Sequence, residues 1–164
     1  MIMRKAKEED KNELAKLYVK FWKAHAKCDP LIELKYAPNE RNQARLVEKD
    51  LERKNTYLFV AEDDCSKKKK IAGFAEFLVI TNEPYFKVRQ YVYIDSCFIN
   101  KKYRGDGLIR DLVDFGIEFL KEEKKIQQIP HYVKLNTYVF NKGAMRVWKR
   151  DGFDFKAVSM IKKV

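Results

Sequence analysis

A chain of 164 residues suits one domain of ordinary size, and 46% apolar residues, among them 11 Phe, 9 Tyr and 2 Trp, supply a core and exclude extended disorder. The net charge is +11, from 35 Lys and Arg against 24 Asp and Glu. A polyanionic partner is one reading of that charge; a solvated, Lys-rich surface is the other, and the excess of Lys over Arg favours it.

Cys28, Cys65 and Cys97 are odd in number and widely spaced, and His25 and His131 stand far apart, so neither a disulfide framework nor a metal site is signalled. The N-terminal run MIMRKAKEED has no apolar segment of the signal-peptide kind. The longest apolar stretch, Ile71 to Ile80, is interrupted by Glu76 and is too short to span a bilayer. A cytoplasmic protein of a reducing compartment, without a metal and without a membrane anchor, is expected.

In chain order, Ile2 to Lys5 reads as a short strand. Glu8 to His25 reads as an amphipathic helix, because Leu14, Leu17, Tyr18, Phe21 and Trp22 recur at helical spacing. His25 continues that face as a tucked-in side chain. Pro30 and Pro38 bracket a loop, and Asn39 is the N-cap candidate of a more polar helix ending at Lys54. Thr56 to Glu62 is a strand, Asp63 to Lys70 a polar turn whose run Lys67 to Lys70 is a solvated tip, and Ile71 to Ile80 a further strand. Asn82, Glu83 and Pro84 turn the chain into a long aromatic, β-branched strand from Val88 to Ile99. A helix from Gly105 to Glu123, a strand from His131 to Val139, a short helix from Gly143 to Arg150 and a last strand from Phe153 to Lys162 complete the order.

Consecutive strands in the middle favour antiparallel hairpins, and the strand-helix-strand unit near the end favours one parallel crossover. The expected fold is therefore α/β, a mixed and mostly antiparallel sheet with helices on both faces. One domain covers residues 1 to 164, since no repeat or linker divides the chain.

The most informative segment is the strand-to-helix turn Asn100-Lys101-Lys102-Tyr103-Arg104-Gly105-Asp106-Gly107-Leu108-Ile109. Glycines there let backbone approach a ligand, and the free N–H groups and dipole of the first helical turn suit a phosphate. An ordinary turn entering a helix is the alternative. Asp95, among Tyr93, Ile94 and Cys97, is a carboxylate in an apolar strand, so partial desolvation raises its pKa and suits it to accept a proton. The alternative for Asp95 is a structural hydrogen bond. Cys97 shares strand parity with Asp95 unless a bulge intervenes, and reads as a small core residue rather than a nucleophile.

Arg104, Gly105 and Gly107 resemble the cofactor motif of the GNAT superfamily of N-acetyltransferases, and Asn141, Ala144 and Gly152-Phe153 resemble its second block at the interval typical of that superfamily. The element order fits too, so the resemblance covers nearly the whole chain. The loop Asp29-Pro30 looks like that of one subgroup acting on small molecules or peptides. The resemblance implies a GNAT-like acyl-CoA N-acyltransferase fold and acetyl-CoA as cosubstrate. By it, Arg104, Gly105, Asp106, Gly107, Leu108 and Ile109 cradle the coenzyme A pyrophosphate, the backbone of Phe98 and Ile99 pairs with the pantetheine arm, and Asn141 bonds the same arm. The strands carrying Ile99 and Leu135 splay to admit the thioester, and an N–H near Ile99 faces its oxygen.

Two departures accompany the resemblance. Ile109 stands where the motif ends in Gly or Ala, and Asp106 adds a negative charge nearby. Trp148 stands where the family usually places a Tyr that protonates the leaving thiolate; an indole N–H donates a hydrogen bond but delivers no proton. A thiol with pKa about 8.5 leaves with little protonation, so a hydrogen bond from Trp148 or from a water suffices; the alternative is that Trp148 only fills the core. The implied reaction is direct transfer of an acetyl group to a primary amine of a small molecule or peptide, with Asp95 as base. Its rival is a non-catalytic acyl-CoA-binding or interaction module. A nucleic-acid partner has only the net charge behind it. The acceptor pocket is expected at Lys27 to Asn39 and Thr81 to Lys87. A single closing strand leaves an edge or apolar flank that a homodimer covers, unless the first helix does so within a monomer.

Overall fold

The computed structural model describes residues 1–28, 37–65, 70–123, 125–126, 132–157 and 159. Its strands are β1 (Ile2–Lys5), β2 (Thr56–Glu62), β3 (Ile71–Thr81), β4 (Gln90–Ile99) and β5 (Val133–Leu135), and its helices α1 (Lys11–Cys28), α2 (Glu40–Glu52), α3 (Leu108–Glu122) and α4 (Lys142–Arg150). The strands form one five-stranded sheet in sequence order, β1-β2-β3-β4-β5. The pairs from β1 to β4 are antiparallel and β4–β5 is parallel. This is the mixed, mostly antiparallel α/β sheet that the order of elements predicts.

Two cores flank the sheet. Leu14, Leu17, Tyr18 and Phe21 of α1 and Val47 of α2 pack on Leu58, Val60 and Phe74. On the other face, Leu112, Val113 and Leu120 of α3, with Trp148 of α4, pack on Phe59, Phe77, Val92 and Ile94. The alternation along β2 and β3 sends neighbouring side chains to opposite faces, and both are covered, which is why both strands read as nearly continuous apolar runs. Gly116 lets α3 settle against the sheet: a Cβ there would stand 2.7 Å from the Phe77 ring.

The differences from the sequence reading have local causes. Helix α1 begins at Lys11 rather than Glu8, because Glu8–Asp10 forms a 3-10 turn. Buried Asp10 accepts from the Lys7 N–H at 2.8 Å and from the Arg4 guanidinium at 2.7 and 2.9 Å, which fixes that turn. Asn39 caps α2 as expected, its side chain accepting from the Asn42 N–H at 2.9 Å. His25 is half-buried, edge-on to Phe21 with ring centroids 4.0 Å apart, and burial lowers its pKa. Strand β5 covers only Val133–Leu135 instead of running to Val139, since the chain turns through Tyr138 with the Asn141 N–H bonded to the Tyr138 carbonyl at 2.9 Å. Residues 153–157 form no strand, so the expected strand from Phe153 to Lys162 is not present over its first half. The remainder of that strand except Ser159, together with Asp29-Pro30, Lys67 to Lys69 and His131, lies outside the described residues.

Candidate active site

Backbone groups of successive residues in an antiparallel strand point to opposite sides. The Asn100 N–H donates to the Ala72 carbonyl of β3 at 2.8 Å. Ile99 and Cys97 therefore direct their N–H and C=O groups away from β3, toward β5. The parallel ladder, however, runs only from Val92↔Val133 to Ile94↔Leu135. Beyond that pair β5 ends, and among the described residues no backbone pairs with this side of Cys97 or Ile99. A cleft thus opens between two strands that are joined at one end.

One lip of the cleft is already organised. The Arg104 Nε donates to the Ile99 carbonyl at 2.7 Å, and its guanidinium lies 5.2 Å from the Phe98 ring. Phe98 itself pairs through its backbone with Phe74 of β3, so its contribution to this lip is the ring beneath Arg104 and not a free main chain. The Arg104 N–H closes a 3-10 turn onto the Lys101 carbonyl at 3.3 Å. The chain then reverses with Gly105 at φ 120° and Gly107 at φ 78°, the latter in left-handed conformation at the N-cap of α3. These angles explain why glycines occupy both positions.

Among the described residues the N–H groups of Gly105, Asp106, Gly107, Leu108 and Ile109 find no acceptor; the first two bonded amides of α3 are those of Arg110 and Asp111, both to the Gly107 carbonyl. Five donors at the N-terminus of a 15-residue helix, unbonded among the described residues, point the same way as the helix dipole, an arrangement suited to an anion. Ile109 and Leu108 pack against the core, so the bulky residue in place of a small one turns away from the amides. Asp106 is exposed.

The other lip carries Asn141 and α4. The Asn141 Oδ1 accepts from the Ala144 N–H at 3.1 Å as the N-cap of α4, which leaves its amide NH2 as a donor. Trp148 is buried, edge-on to Phe153 with ring centroids 5.3 Å apart and planes at 67°. Its position is a core position on α4.

Asp95 lies where β4 carries one residue more than β3. Glu76 faces Ser96 and Phe77 faces Ile94, so Asp95 is the unpaired residue of a bulge. The bulge breaks parity: Ile94 and Cys97 both pack on the α3 face, while Asp95 and Ser96 turn toward α1 and α2. Asp95 is open to solvent on one side, and desolvation on the other pushes its carboxyl up, against a smaller lowering by Arg53. Burial pushes the Cys97 thiol up to about 12, away from the thiolate form that a nucleophile needs.

Next to Asp95 the structure brings together residues that the sequence reading did not join. The Glu76 Oε2 accepts from the Ser96 hydroxyl at 2.7 Å and the Tyr18 hydroxyl at 2.8 Å, all three side chains being buried. Burial raises the Glu76 carboxyl, the two hydroxyls lower it, and the charges of Asp50 and Asp95 raise it further. Asp50 of α2, bonded to Arg53 at 2.9 Å, is raised by burial and by Asp95 in turn. The signal for Glu76 was visible as the single acid in an apolar strand, but its partners on α1 and β4 lie 58 and 20 residues away in sequence.

This architecture matches known proteins. Solved structures resemble it over nearly the full chain. A tetramutant of the BH1408 protein from Bacillus halodurans superposes with a TM-score of 0.82 at 22% identity, covering 100% of both chains. A predicted acetyltransferase from Clostridium acetobutylicum, solved with acetyl-CoA, gives 0.67 at 19% identity, covering 99% of this chain and 95% of that one. The aminoglycoside N-acetyltransferase AAC(6')-Iy, in complex with CoA, gives 0.74 at 13% identity, covering 99% and 93%. Among curated proteins none matches the sequence. The model of the acetyltransferase (GNAT) family matches residues 12–153, which include β4, β5, the glycine turn and α4, and the chain belongs to that family.

Proposed function

We infer that this GNAT acetyltransferase moves the acetyl group of acetyl-CoA to a primary amine of a small molecule or peptide by direct attack. The observation that carries the reading is the edge of β4 left unpaired beyond Ile94, with Asp95 at the bulge at one end and, at the start of α3 at the other, five amides unbonded among the described residues. The solved relatives that hold acetyl-CoA or CoA support the choice of cosubstrate.

The residue roles follow from that edge. The amides of Gly105, Asp106, Gly107, Leu108 and Ile109 hold the pyrophosphate, with Arg104 bracing the turn through the Ile99 carbonyl. The outward main chain of Ile99 and Cys97 pairs with the pantetheine arm as an added strand would, Phe98 supporting it from beneath Arg104, and the Asn141 amide donates from the opposite lip. A main-chain N–H near Ile99, further along the strand toward Asp95, serves the thioester oxygen as charge builds on it.

An alkyl ammonium with pKa about 10.4 is only about one part in 10³ neutral at pH 7, so the reaction needs a proton acceptor. Asp95, with its raised pKa, takes a proton from the ammonium directly or through water. The nitrogen lone pair then attacks the thioester carbon, the C–S bond breaks with its electron pair on sulfur, and the nitrogen gives up its second proton to solvent water. Coenzyme A departs as a thiolate that solvent protonates, so Trp148 is required as packing and as an N–H dipole, not as an acid.

The test is acetyl-CoA turnover with a panel of amines, with product mass read out. Asp95→Asn is expected to lower kcat by about 10²-fold or more while acetyl-CoA affinity stays unchanged. Binding of acetyl-CoA with no acetylated product from any amine favours a non-catalytic acyl-CoA module instead, and wild-type kcat in Asp95→Asn would remove Asp95 from the mechanism.

A further inference from the structure

A carboxyl group in the middle of a covered strand is costly to bury, and a Leu or Val would fill the site more cheaply. Glu76 is nevertheless 5% exposed, between Ala75 and Phe77, and its Oε2 gathers two hydroxyls from different elements. One belongs to Tyr18 of α1, whose ring stacks on Phe74 with centroids 4.1 Å apart and is held rigidly. The other belongs to Ser96, the residue that immediately follows the bulged Asp95.

That adjacency has a consequence for the site. A bulged residue lacks the ladder hydrogen bonds that fix its neighbours, so its direction depends on what anchors the residues around it. Ile94 is anchored by the β3 and β5 ladders. On the other side of Asp95, Ser96 pairs with Glu76 in the β3 ladder, and its side chain adds a 2.7 Å bond to the Glu76 carboxylate, backed by Tyr18 at 3.4 Å from the Ser96 hydroxyl. We propose that Glu76 is the positioning residue of the reaction: tied to Tyr18 on α1, it holds Ser96 and so fixes the Asp95 carboxylate on the α1 and α2 side, at the end of the cleft.

The inference rests on the reading of Asp95 as the proton acceptor, and a double-mutant cycle separates the two. Glu76→Leu fills the strand position without an acceptor for either hydroxyl. It is expected to lower kcat about tenfold or more with acetyl-CoA affinity unchanged, and Glu76→Gln, which keeps an oxygen for both hydroxyls, restores most of the rate. Because Glu76 acts through Asp95, Asp95→Asn/Glu76→Leu is no slower than Asp95→Asn alone. Ser96→Ala cuts the same tether without altering the buried acid; it carries the same expectation at smaller size and serves where Glu76→Leu fails to fold. A slow Asp95→Asn together with wild-type kcat in Glu76→Leu or Ser96→Ala, or with losses that add in the double variant, overturns the inference and leaves the Asp95 reading standing. Wild-type kcat in Asp95→Asn overturns both.

Discussion

Asp95 illustrates a conflict between stability and chemistry at a single residue. Its carboxyl is raised by desolvation above the value of about 3.9 expected in an unfolded chain. A carboxyl with a raised folded pKa binds its proton more tightly in the native state. It therefore costs no stability below the unfolded pKa, and the cost appears as pH rises through the folded pKa and persists above it. Asp95→Asn removes that cost. The variant is expected to melt at a higher temperature than the wild type at pH 7, and the difference should vanish as pH falls to about 3.5, below the unfolded value. Thermal melts of both proteins across that range check it; a variant less stable at neutral pH would mean that Asp95 makes a structural bond worth more than its desolvation. Nothing in the alternation of Gln90 to Ile99 disclosed the bulge. Val92, Ile94 and Ser96 are all buried at even positions, so the strand reads as unbroken although its faces exchange at Asp95. Small, polar Ser96 hides the slip because it is buried for a hydrogen bond and not for packing.

At the scale of elements, the turn into α3 was the most legible part of the site, and for a physical reason. A positive φ selects for glycine at each such position, so backbone geometry leaves a mark in the sequence that side-chain contacts do not. Helices α1 and α3 were legible because an apolar stripe at period 3.6 is a local property. The shortness of β5 was not, since Tyr138, Val139 and Phe140 have strand-forming side chains yet sit in a turn, with Val139 and Phe140 each 58% exposed. The glycine turn also yields a prediction. At Gly107, with φ 78°, a Cβ meets nothing in the protein closer than the Arg110 guanidinium at 3.6 Å. Gly107→Val is therefore opposed by backbone strain of about 1–2 kcal/mol and by a branched side chain placed among the unbonded amides, not by a clash in the core. The fold should survive with a lowered melting temperature, and acetyl-CoA binding by calorimetry should be lost. Unchanged affinity would place the phosphates elsewhere.

At the scale of the whole molecule, β5 is an edge strand among the described residues, and large apolar side chains are exposed in the segments before and after it. Among the described residues nothing pairs with the outer side of β5, and residues 153–157, read from the sequence as the start of a closing strand, belong to no strand of the sheet. Tyr132, Val139, Phe140 and Phe155 are exposed in the segments flanking β5 and following α4, Phe155 at 66%. Strand edges and apolar patches of this kind are covered in most proteins, and a two-fold axis through the patch covers it with a single surface that serves both copies. The charge of +11 on each chain opposes association. Its reach is about 8 Å at physiological ionic strength, so salt leaves the contact at the patch favourable while weakening the repulsion between the remaining surfaces. Association should accordingly strengthen as ionic strength rises from low values, the reverse of an interface held by opposite charges. Light scattering at micromolar concentration over a salt series measures this. A dimer whose population grows with salt is the expected result, and a mass that stays near 19.6 kDa throughout would show that the chain covers this flank without a second copy.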